Sequence, residues 1–226
     1  MSLGITVNKD KNGMLLAYLT NNMPDIHLRK LLKIIYLIDE HFMKLRGFPL
    51  TWFDYYAWAK GPVAPEVYEI KNGAFSEFVS SHRFKDNKCV INSLCDASEV
   101  TMNMKSIFSE LEVVEIDKLI GMYRSYTADE LSDLTHVKDS IWSKVVADNH
   151  LVFDVNNRRS DCLIDLKMLF TDQDWRIEIY GDARWDLEFQ AKLLSDRNPN
   201  HKIQLRVVSP TEREQYRIPA YSPAIP

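Results

Sequence analysis

Glycine is scarce in this 226-residue chain, seven in all, and no group of them forms a loop able to cradle a phosphate. The P-loop and dinucleotide-binding folds are thereby removed. HExxH, the nucleophile elbow and the EF-hand loop are also missing, so common zinc-protease, hydrolase and calcium-binding readings have nothing to rest on. Cys89, Cys95 and Cys162 match neither a CxxC pair nor a small disulfide framework; they read as ordinary thiols in a reducing compartment. The six histidines are scattered without paired ligand spacing, so no metal and no cofactor is expected. No run of about eighteen uncharged apolar residues occurs, nor a basic segment leading into an apolar one. A cytoplasmic protein without membrane contact is the expectation. Charge of one sign is lacking too: 28 Lys and Arg stand against 32 Asp and Glu, a net of -4. Nucleic acid is therefore an unlikely partner by bulk attraction.

What is present is the composition of a globular protein, with 46% hydrophobic and 27% charged residues. Met14, Leu15, Leu16, Tyr18 and Leu19 predict a first helix that ends before Pro24. Asp25 then predicts the cap of a second helix over 26–46. Leu28, Leu31, Leu32, Ile35, Phe42 and Leu45 share its main stripe, while Ile34, Leu37 and Ile38 fall off it, so this helix belongs at the centre with neighbours on several sides. Arg29, Lys33, Glu40 and Lys44 mark its one polar face, expected to meet solvent or a partner. Gly47 ends it and Pro49 prevents its resumption.

An extended segment is expected over 55–59, a turn at Gly61-Pro62, and a helix opened by Pro65 and stopped at Asn72-Gly73. Residues 82–94 carry a hairpin signal around Lys85-Asp86-Asn87-Lys88. Ser109 leads a helix over 110–125, and Thr127 with Glu130 forms a capping-box pattern for another. Trp142, Val145 and Val146 suggest a short helix, and 161–170 a last core helix. Beyond it, 175–180 and 203–208 alternate as strands around a helix at 185–194. The organisation expected is a compact, mainly α domain with a small β element over 1–170. A β-α-β appendage over 171–209 and a proline-containing tail over 210–226 complete it.

Chemistry-bearing residues have to be weighed against bland roles. His136, beside Thr135 and near Asp133, could act as a general base in a hydrolase, or be a buried hydrogen-bonded histidine. Glu110, Glu112, Glu115 and Asp117 suit the first turns of a helix, where the macrodipole favours acids and solvation is routine. Arg29, Lys30, Lys33, Lys44 and Arg46 could face RNA, although no stacking aromatics share that face. Trp52, Tyr55 and Tyr56 are the candidate partner-binding anchors, since large aromatics with a polar handle dominate interfaces as well as cores.

Two ordered blocks also carry a family resemblance. The first joins Lys33 and Tyr36 to Gly47-Phe48-Pro49-Leu50 and then to Trp58, Gly61, Pro62, Val63, Pro65 and Tyr68. The second is Thr127-Ala128-x-Glu130-Leu131-x-x-Leu134-Thr135-His136, followed by Trp142 and Lys144. Together they resemble the SocA-like Panacea antitoxin family, often described as phage-associated, over about residues 10–170. Ile141 stands where the family places a proline. The resemblance implies a helical frame with a small β element, and an antitoxin that binds the protein toxin encoded beside it. It supplies no catalytic residue and leaves the oligomeric state open.

Overall fold

Residues 26–46 resolve into α3 (Leu28–Arg46), whose Leu31, Ile34, Ile35, Ile38, Phe42 and Met43 are all fully buried. A helix apolar on every side needs packing on every side, and α3 receives it. The computed structural model describes residues 2–84 and 88–195. Before α3 lie α1 (Leu3–Thr6) and α2 (Lys9–Asn22); after it come a hairpin of β1 (Tyr55–Trp58) and β2 (Gly61–Val63), then α4 (Pro65–Tyr68) continued by a 3-10 turn over Glu69–Asn72. A second hairpin, β3 (Val79–Arg83) and β4 (Cys89–Ser93), leads into α5 (Ala97–Ile107), α6 (Glu110–Tyr123), α7 (Ala128–His136) and α8 (Ile141–Asp148). The short β5 (Leu163–Ile164), a 3-10 turn over Leu166–Leu169 and the long α9 (Arg176–Ser195) follow. The chain is mainly α with small antiparallel sheets, as its sequence led us to expect.

Helix boundaries show which local signals held. Gly47 closes α3 at φ 89°, the left-handed conformation that glycine adopts without a Cβ penalty. The expected capping box of Thr127 with Glu130 forms on α7, and Ser109, expected to lead α6, forms a second one with Glu112, each side chain satisfying the other residue's backbone N–H. Asp25 does not cap α3; it sits at φ 59° and the cap position belongs to His27. Glu112 is no solvated first-turn acid either, since it is buried and accepts from Arg46 Nη1 at 2.8 Å while pairing with Lys11 Nζ at 3.4 Å.

In the three-stranded sheet, order β2-β1-β5, Tyr56 pairs with Val63, Trp58 with Gly61 and Tyr55 with Ile164. The tip of the first hairpin is therefore Ala59-Lys60, and Gly61-Pro62 opens β2 rather than making the turn. Pro62 is tolerated because β2 is an edge strand, where a missing donor breaks no ladder. The hairpin over 79–93 also forms; three residues of its expected turn, 85–87, lie outside the described residues.

The largest departures fall after residue 160. The segment over 161–170 is not a helix: it contributes β5 to the sheet and then a 3-10 turn. Of the expected strand over 175–180, residues 176–180 form the first part of α9, and the expected strand over 203–208 and the tail over 210–226 lie outside the described residues. Helix α9 is laid against the domain. Arg176 stacks on Phe170 at 4.2 Å and donates from Nη1 to the Lys44 carbonyl at 2.7 Å, which ties the start of α9 to the end of α3. Tyr180 covers Trp52 with ring centroids 5.3 Å apart, and the Gly4 N–H donates to the Trp52 carbonyl at 2.9 Å. Trp52 has φ 59°, a conformation rare for a bulky residue, and these contacts from α1 and α9 hold it there.

Candidate functional site

The two signature blocks meet at Gly61. A Cβ on this residue would lie 2.4 Å from Lys33 Nζ, 2.8 Å from His136 Nε2 and 2.8 Å from Thr135 Oγ1. Three polar atoms from α3 and α7 thus converge on space left open by the absence of one side chain. The φ of 100° at Gly61 adds a second reason for glycine. Lys33 Nζ donates to the Pro62 carbonyl at 3.1 Å, and Thr135 Oγ1 to the Ser132 carbonyl at 2.8 Å.

Lys33 is the main surprise of this cluster. The lone cation of an apolar run, expected on the polar face of α3, is 1% exposed. Burial, with the positive charge of Arg29 adding to it, lowers its pKa to about 7. His136 is half-buried and also held below its ordinary range, first by burial and then by Lys33, with Asp133 and a hydrogen bond to the Lys60 backbone pulling the other way. Its Nε2 is buried without a partner among the described residues. The ring stacks on Trp142 at 3.9 Å and 17°, and Trp142 donates from Nε1 to the Trp58 carbonyl at 2.9 Å. Trp142 therefore fastens α8 to the hairpin and α7 at once. The Thr135 hydroxyl beside His136 is already engaged with Ser132, so it is not presented as a nucleophile.

The neutral form favoured at Lys33 gives a pH signature. A lysine whose folded pKa lies below its unfolded value contributes stability that is fully present above the unfolded pKa and lost as pH falls through the folded one. Its contribution should rise by about 2–3 kcal/mol from pH 6 to pH 9. Urea unfolding at both pH values is expected to show this rise in the native chain and its loss in Lys33→Met; an equal rise in both would show that another group carries it.

A second buried polar centre lies along α3. Asp39 is fully buried; its Oδ1 accepts from the Leu50 and Thr51 N–H groups, both at 2.8 Å, and its Oδ2 from the Tyr55 hydroxyl at 2.8 Å and the Thr51 hydroxyl. Burial raises the carboxyl to about 6 against the pull of these four donors. This explains Tyr55, which at 1% exposure belongs to the core and packs edge-to-face on Tyr36 at 5.2 Å. Trp52 is 7% exposed. Of the three anchors read from the sequence, only the half-buried Tyr56 reaches the surface. Val63 is buried in the core, while Trp58 and Tyr68 are half-buried and meet edge-to-face at 5.0 Å.

The basic stripe of α3 is also dispersed. Lys33 is inside, Arg29 pairs with Asp129, Lys44 with Glu40 and Arg46 with Glu112, while Lys30 donates to the Arg124 carbonyl. Two exposed features had no signal in the sequence. One is a stripe on α9 where Trp185 and Phe189, 65% and 50% exposed, stack at 5.7 Å and continue to Leu193. The other is a concave pocket of about 970 Å³ between the start of α3, the hairpin tip and the loop over 153–159. Among the described residues no group of His, Cys, Asp and Glu is placed to hold a metal ion, and no helix is long and apolar enough to cross a membrane.

Comparison with known proteins places these features in a family. Neither the curated proteins nor the solved structures contain a match to the chain. The family model for the antitoxin SocA-like Panacea domain matches residues 31–143, half of the chain, from α3 into α8. Lys33, Tyr36, Trp58, Gly61, Thr135, His136 and Trp142 all lie inside that span, so the convergence at Gly61 is built from it. The chain belongs to the SocA-like Panacea antitoxin family.

Proposed function

We propose that this chain is an antitoxin that neutralises a protein toxin encoded beside it by direct binding in the cytoplasm, as part of a toxin-antitoxin system associated with phage or another mobile element. The observation that carries this reading is the match of the antitoxin family to residues 31–143. Interior placement of the signature residues supports it in a particular form. Lys33, Gly61 and Thr135 brace the frame from inside and half-buried Trp142 fastens α8 to it, which leaves partner choice to surfaces outside the signature. The stacked Trp185 and Phe189 on α9 supply such a surface, because exposed aromatics close to one another are the side chains that anchor interfaces.

Co-expression with the product of the adjacent gene is the direct test. Rescue of growth and a co-purifying complex are expected, and Trp185→Ala combined with Phe189→Ala should weaken that complex by roughly thirtyfold. A harmless neighbour that forms no complex would overturn the reading. An intact complex with the double variant would move the interface off α9 while leaving the antitoxin role in place.

A further inference from the structure

The pocket beside the signature turn carries a charge that the rest of the molecule does not. Seven lysines and arginines line it against a single acid, Asp154, in a chain whose net charge is -4. Arg29 is paired with Asp129. Lys60, Lys71, Arg83, Arg158 and Arg159 have no carboxylate within ion-pair distance among the described residues. Asp154 offsets one of these charges at most: its Oδ1 accepts from the N–H groups of Asn156 and Asn157 at 2.7 Å each, and it makes no ion pair with the pocket's cations among the described residues.

Two of these cations crowd onto one ring. Lys71 Nζ lies 3.7 Å from the Tyr68 ring centroid and Arg159 Cζ 4.9 Å from it, with Arg159 Nη2 donating to the Tyr68 hydroxyl at 2.9 Å. Burial raises the Tyr68 phenol, yet the two cations together outweigh it and hold the phenol below its ordinary range. Like charges gathered in a concavity with low-dielectric walls focus a positive field into it. The walls include Leu28, Leu32 and Val63, and aromatic surface comes from Phe153 and from Trp58, over one side of which Arg159 Cζ lies 4.6 Å from the ring centroid. A volume of about 970 Å³ is within the range of small-molecule sites.

We propose that this pocket binds a phosphorylated nucleotide, with the phosphates held by Lys71 and Arg159 and the base against the apolar and aromatic wall around Trp58 and Phe153. Arginine matches a phosphate through two parallel N–H donors and lysine as a point charge, so neither needs the glycine loop that this sequence lacks. The match to the family model ends at residue 143, and Phe153, Arg158 and Arg159 lie beyond it. The site is independent of the toxin-binding reading and could fail without it.

Isothermal titration of the full chain with ATP, adenosine, pyrophosphate and an oligoglutamate peptide tests the proposal. ATP is expected to bind, with adenosine and pyrophosphate each at least about tenfold weaker because each offers half of the recognition. Arg159→Ala and Lys71→Ala should each weaken ATP about tenfold or more while circular dichroism stays native, Arg159 being exposed and Lys71 half-buried. Binding should also weaken as salt is added. The proposal is overturned if ATP does not bind at millimolar concentration or if neither substitution changes its affinity. Pyrophosphate binding as tightly as ATP would reduce the pocket to an anion site, and oligoglutamate binding as tightly would make it a seat for an acidic segment; either result overturns the nucleotide assignment.

Discussion

Replacing Asp39 with alanine is expected to destabilise the chain by about 3 kcal/mol at neutral pH. The carboxylate accepts from two backbone amides and two hydroxyls, and none of the four has solvent to turn to. Tyr55 can recover part of its loss, since its hydroxyl already approaches the Ile35 carbonyl at 3.3 Å. The Leu50 and Thr51 amides have no such alternative, and each buried donor left unpaired costs about 1–3 kcal/mol. Asp39→Asn should be far milder, within about 1 kcal/mol, because its amide oxygen can keep both backbone donors while its NH2 donates to the two hydroxyls.

The asparagine variant also isolates a pH effect. A carboxyl with its folded pKa raised to about 6 contributes stability that is complete below the unfolded value and lost as pH rises through 6. This group should withdraw about 3 kcal/mol between pH 3 and pH 7. Denaturant midpoints across that interval are expected to carry the loss in the native chain and to lack it in Asp39→Asn. Identical slopes in the two proteins would remove Asp39 as the cause.

Gly61→Ala is the second large effect, expected at about 4 kcal/mol. Its φ of 100° alone costs an L-residue about 1–3 kcal/mol. The new methyl would also fall within 2.4–2.8 Å of Lys33, His136 and Thr135, and overpacking of this kind costs a further 1–3 kcal/mol or so. Flexible ends can normally move aside, but Lys33 and Thr135 are buried, so no solvent receives them. Gly73→Ala separates the two contributions. Gly73 has φ 97° with nothing within 4 Å of an added Cβ, so it should show the backbone cost alone. If thermal unfolding finds the two variants equally destabilised, crowding at the signature junction is not a factor.

Local chemistry made much of this fold readable. The apolar circumference of α3, the glycine that ends it and the capping box of Thr127 with Glu130 are short-range signals, decided within a few residues, and the structure agrees with each. Long-range partners were not readable. Lys33 looked like a solvated cation because its acceptor, the Pro62 carbonyl, lies on a hairpin 29 residues away. Trp52 and Tyr55 looked like interface anchors because nothing nearby in sequence announces Asp39 or Tyr180 as their companions. Alternation over 175–180 suggested a strand, yet helix α9 claims those residues once Arg176 reaches Phe170 and Lys44. Helix α5 escaped notice because only Val100 and Met104 are buried on it, too few to set a period. The pocket was hidden for the same reason: its cations come from α3, the hairpin tip, the turn after α4, the second hairpin and the loop over 153–159.

Trp52 is grasped by α1 on one side and by Tyr180 on the other, and this bears on how the protein is made. Synthesis runs from the N-terminus at about 5–20 residues per second, so the whole signature has been translated before Tyr180 is added. During those seconds the nascent chain carries an indole whose final cover does not yet exist, beside a backbone conformation it would not adopt unaided. The family segment can collapse early, but its last seat closes only when α9 arrives. A message cut short before that point would release a chain with an open apolar socket, suited to capture by chaperones or proteases.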